Sequence, residues 1–162
     1  MNDPWSAVQD GTQLHGDFLH GQRAFERGDL AAALAGFKSA HQLTAAHEPH
    51  AALYMSFLGL VQVLMRDVSG LNLCRRAAHE ETHRGDVFEN LVRAELELGH
   101  RRQAWDALRR GLKLDKQHAG LRALRVEMGA RRHPALSFLD RDNLLNRMIG
   151  RFTYRPRAKR GR

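Results

Sequence analysis

The chain has 162 residues and a formal net charge of +8. Its single cysteine, Cys74, excludes an internal disulfide and fits a reducing compartment. No apolar run reaches the roughly 20 residues of a membrane span, and the opening MNDPWSAVQDG lacks the basic and apolar regions of a signal peptide, so a soluble, cytoplasmic domain is expected.

The charge is unevenly placed. Residues 151–162 hold six Arg or Lys and no acid, which leaves the first 150 residues with 20 basic and 18 acidic groups, net +2. The split gives a near-neutral body and a basic C-terminal tail, and the tail, short and interrupted by Pro156 and Gly161, is expected to be disordered.

In chain order, Asp3-Pro4 reads as a cap and first helical turn carrying Trp5 and Val8, a lead-in over residues 1–13. From about Thr12 to Arg27, Leu14, Phe18, Gly21 and Phe25 recur at three or four and predict the first helix. Arg27-Gly28-Asp29 predicts a tight turn: Gly28 supplies a positive φ, and Asp29 caps a second helix from about Leu30 to Gln42. The next segment, Ala51 to Arg66, is so apolar that protein must surround it or an apolar partner must fill the groove it lines. Its partner runs from about Ser69 to Thr82. Phe88, Leu91, Ala94 and Leu98 then form one stripe, Gly99-His100 a turn, and Ala104, Leu108, Gly111 and Leu112 another stripe. Leu121, Leu124 and Met128 suggest a seventh helix ended by Gly129. Asp142 is placed to cap a last one, with Leu144, Leu145, Met148, Ile149 and Phe152 on one face.

Three of these helix pairs overlay by number. Gly21, Ala33, Phe37 and Ala40 match Gly59, Leu71, Arg75 and Ala78, and then Val92, Ala104, Leu108 and Gly111, with offsets of 38 and 33. The pattern resembles the tetratricopeptide repeat (TPR), whose helix-turn-helix unit recurs at about 34 residues. Arg75 stands where the other two units carry a large apolar residue. The resemblance implies an all-α fold, a right-handed TPR-type solenoid of three helix pairs (14–47, 52–85 and 85–118), with capping helices over 119–150.

By the same resemblance the first helices line a concave groove that binds a peptide or an amphipathic helix. Its expected residues are Phe18, Gln22 and Phe25, then Ser56, Leu60 and Val63, then Asn90, Arg93 and Glu97. A TPR subclass clamps a C-terminal carboxylate with lysine, asparagine and arginine. The matching positions here are Phe18, Gln22, Phe57, Asp86 and Asn90, with no cation, so recognition of chaperone tails is not expected. The function implied is that of a non-catalytic scaffold or adaptor, with a protein or peptide partner and no cofactor.

Two alternatives rest on other features. In the tail, Arg151, Arg155, Arg157, Lys159, Arg160 and Arg162, with Phe152 and Tyr154, suit salt-sensitive binding to nucleic acid. His79-Glu80-Glu81-Thr82-His83 matches HExxH, the motif that sets two imidazoles one helical turn apart on zinc. Its placement at a helix end and the absence of the extended HExxHxxGxxH form make His79 and His83 weak metal candidates. Cys74, among apolar neighbours, reads as an inert thiol.

Overall fold

The computed structural model describes residues 14–45 and 48–129. The lead-in with Trp5 and Val8, the helix expected after Asp142 and the basic tail lie outside the described residues. These are all-α: seven helices and no strand among them. None of the helices is long and apolar enough to cross a membrane. The chain divides into two compact units, Met1–Arg125 and Val126–Arg162. Of the second, only the end of the seventh helix and the turn at Gly129 are described.

The helices are α1 (Gly16–Glu26), α2 (Leu30–Leu43), α3 (Ala51–Leu64), α4 (Gly70–Glu80), α5 (Gly85–Glu97), α6 (Arg101–Leu114) and α7 (Ala119–Glu127). Each of the first three pairs closes with the same backbone device. Gly28 (φ 78°), Arg66 (φ 70°) and Gly99 (φ 76°) take the left-handed conformation. The next residue's N–H then reaches back into the helix: Asp29 to the Ala24 carbonyl, Asp67 to Gln62 and His100 to Glu95, all at 2.8–2.9 Å. These contacts satisfy carbonyls that a helix end leaves without a partner. Asp29 then caps α2, accepting from the Ala32 N–H at 3.0 Å.

Small residues set how closely the paired helices approach. A Cβ on Gly21 would lie 2.7 Å from the Phe37 ring, and one on Gly59 would lie 2.5 Å from the Gly70 carbonyl and 2.8 Å from Cys74 Sγ. One on Gly111 would meet both Phe88 and Leu121 at 2.7 Å. These helix pairs therefore pack backbone against side chain with no room for a methyl group.

Successive pairs meet where α2 packs on α3 and where α3 and α4 pack on α5, with side chains of the first helices adding contacts. The Phe18 ring on α1 packs tilted against Tyr54 and edge-on to Phe57 on α3, with centroids 4.6 and 5.2 Å away, and tilted against Phe37 at 5.4 Å. Ser56 on α3 accepts from Asn90 Nδ2 on α5 at 3.0 Å and donates to the Leu53 carbonyl at 2.7 Å. Helix α3 touches α2, α4 and α5, which accounts for its nearly continuous apolar sequence: it is enclosed by protein.

Candidate functional site

The expected groove residues divide sharply by burial. Phe18, Ser56, Leu60, Val63 and Asn90 are interior and offer no accessible floor. Leu60 and Val63 sit on the enclosed α3, while Ser56 and Asn90 are consumed in a hydrogen bond to each other. Of the matching clamp positions, Phe57 also belongs to the aromatic cluster, and Asp86 is exposed. Gln22 and Phe25 are partly accessible; Arg93 and Glu97 are exposed. On α5, Arg93 pairs with Glu89 one turn earlier, and Glu97 meets Arg66 at 3.3 Å across to the end of α3. The accessible part of the expected site is thus a charged row on α5 and, on α1, the partly accessible Gln22 and Phe25.

The HEETH stretch does not form the HExxH geometry. Helix α4 stops at Glu80, so His79 is in its last turn while His83 stands in the following bend. Glu80 lies 3.6 Å from Arg76 Nε. Glu81 folds back on the chain, its Oε1 accepting from the N–H groups of Thr82, His83 and Arg84 at 2.9, 2.7 and 3.2 Å. The motif serves as a helix stop and loop brace.

A different set of donors comes together at the start of α5. Asp86, Glu89 and His118 each place one ligand atom within 4.8 Å of the others, the arrangement among the described residues that could hold a metal ion. Their present hydrogen bonds serve the fold. His118 Nε2 lies 3.0 Å from Asp86 Oδ1, and Nδ1 accepts from the Leu121 N–H at 3.3 Å, capping α7. That assignment makes Nε2 the protonated nitrogen, donating to Asp86. Glu89 is held by Arg93. Gly85 and Gly120 make this packing possible, since a methyl on either would overlap the His118 ring or the Glu89 carboxylate. The cluster ties α7 to α5.

Two groups withdrawn from solvent are perturbed. Burial, reinforced by the negative charge of Glu95, pushes the Cys74 thiol up to about 12, and its Sγ lies 3.4 Å from the Ser56 carbonyl. Burial, then the positive charge of Arg76, lowers the pKa of His41; Glu80 opposes the shift.

Sequence reading missed one accessible cavity. Between α6 and α7 lies an open pocket of about 430 Å³ lined by Trp105, Leu108, Arg109, Leu112, Lys113 and Arg125. Trp105, Arg109 and Lys113 follow one another at intervals of four along α6, a spacing visible in the sequence; only the packing of α7 makes a cavity of it. No family model matches the chain, and a search of curated proteins finds no match to it.

Proposed function

We propose that the chain is a non-catalytic protein-interaction module of the TPR type, acting in the cytoplasm as a scaffold or adaptor. In this reading α1–α6 form three repeats of a right-handed solenoid, with α7 as the start of the cap. The observation that carries it is the repeated contact between successive first helices at equivalent positions. Phe18 reaches α3, Ser56 reaches α5 and Glu89 reaches His118 and Gly120 at the start of α7. Residues 18, 56 and 89 are separated by the same 38 and 33 that align the sequence, and so are the left-handed residues 28, 66 and 99.

The partner-facing set in this reading is the accessible one: Gln22 and Phe25 on α1, Arg93 and Glu97 on α5. A partner segment of mixed charge with an apolar side chain for Phe25 fits that surface. The test compares wild-type chain with Arg93→Glu in a nuclease-treated pull-down from native lysate. A discrete protein set lost in the variant, with unchanged far-UV circular dichroism, is the expected result. Capture indifferent to Arg93→Glu and Phe25→Ser overturns the reading. Leu60→Asp is not a fair probe, because Leu60 is interior and the substitution attacks the fold.

A further inference from the structure

The cavity between α6 and α7 points to a second recognition site, independent of the α1–α5 surface. We propose that it takes a bulky apolar side chain projecting from an acidic peptide segment. Two observations carry this. The cavity has an apolar wall of Trp105, Leu108 and Leu112 and three cations, Arg109, Lys113 and Arg125, with no acid among its lining residues. Arg109 also pairs with Asp106 on its own helix, whereas Lys113 and Arg125 have no ion-pair partner among the described residues.

The second observation is charge segregation. Residues 99–125 carry eight Arg or Lys and two Asp, while residues 14–97 carry eight Arg or Lys and eleven Asp or Glu. The near-neutral body therefore hides a basic end that begins at α6. Such a field attracts an acidic partner and fixes its orientation, and the cavity gains affinity by removing one apolar side chain from water. A nucleic-acid strand suits the site less well. Sequence-tolerant binding of single strands uses successive stacking rings along a cationic track, and Trp105 is the only aromatic residue on α6 and α7.

The experiment uses the full chain carrying Trp5→Phe, which leaves Trp105 as its only tryptophan. Its fluorescence is titrated with an acidic peptide bearing one central phenylalanine. The expected result is a saturable shift that weakens at least about tenfold when the peptide phenylalanine is replaced by serine. It also weakens with rising salt and in a Lys113→Glu/Arg125→Glu variant. Both positions are exposed, and retained helical circular dichroism confirms that the variant is folded. The peptide-side substitution gives the same test without touching the protein. No saturable change overturns the proposal. So does an equal response to the serine peptide or to oligothymidylate, which would mark a general polyanion surface.

Discussion

Arg75 on α4 reaches across to Glu95 on α5, with Nε and one terminal guanidinium nitrogen both 2.9 Å from Oε1. The other oxygen of Glu95 lies 2.8 Å from His100 Nδ1. Glu95 is 2% exposed, so its carboxylate depends on these two partners, one from the preceding helix and one from the turn that follows. Arg75 occupies the position that Phe37 and Leu108 hold in the neighbouring pairs. The polar substitution in the middle pair is thus matched by a buried acid in the next one.

Breaking that pair should be costly. Arg75→Met leaves a buried carboxylate with only His100 beside it, and the expected loss is about 3 kcal/mol. This is the low end for a buried pair, because the Arg75 side chain is itself 47% exposed. The double variant Arg75→Met/Glu95→Leu removes the stranded charge and should recover most of the loss. Urea denaturation of wild type, both single variants and the double gives the coupling directly; additive losses would show that the two residues act separately.

Arg66 ends α3 in the left-handed conformation that Gly28 and Gly99 adopt at the equivalent turns. A Cβ in that region is strained, and glycine removes the strain. Arg66→Gly gives up a surface pair with Glu97, worth little in water. The expected net effect is stabilisation of up to about 1 kcal/mol, read as a higher midpoint in thermal or urea denaturation. A lower midpoint would mean that the Arg66–Glu97 pair matters more than the backbone.

Cys74 should be unreactive in the folded chain. Its thiol is buried and its pKa pushed up to about 12, so almost no thiolate exists at neutral pH. Thiol titration at pH 8 should detect no fast-reacting group without denaturant and one in its presence. Rapid labelling of the native chain would place Cys74 at an opening segment.

His41 should make the fold sensitive to mild acid. Its folded pKa lies below the unfolded value, so between those two values the unfolded state binds the proton more readily. Its contribution to stability is fully present above the unfolded value near 6.5 and is lost as pH falls through that value toward the folded one. Melting temperatures of wild type should therefore drop more between about pH 7.5 and about pH 5.5 than those of His41→Gln. Parallel curves for the two proteins would remove His41 as the source.

Much of the local structure was legible in the residues. Gly28, Gly99 and Gly129 mark turns because each takes a positive φ, and Asp29 caps α2 as its position implied. The stripes of α5 and α6 follow from spacing alone. The HEETH stretch shows the opposite case: five residues satisfy a motif, but α4 ends at Glu80 and the second histidine leaves the helix. A motif reports residue types at a spacing, and the chemistry also needs the helix to continue.

The sequence by itself determined the seven described helices and their order, because each depends on neighbours three or four residues away, and the turns at Gly28 and Gly99, because glycine has the backbone freedom they need. What only the tertiary structure decided is which sides of those helices remain in contact with solvent. Leu60 and Val63 read equally well as groove floor or as core; enclosure of α3 by α2, α4 and α5 made them core. Spacing along α6 lines up Trp105, Arg109 and Lys113, but the cavity they edge exists only because Arg125 of α7, a helix held by His118 against Asp86, closes its other side. Burial is a property of the neighbours that arrive from elsewhere in the chain, and periodicity along one helix carries no record of them.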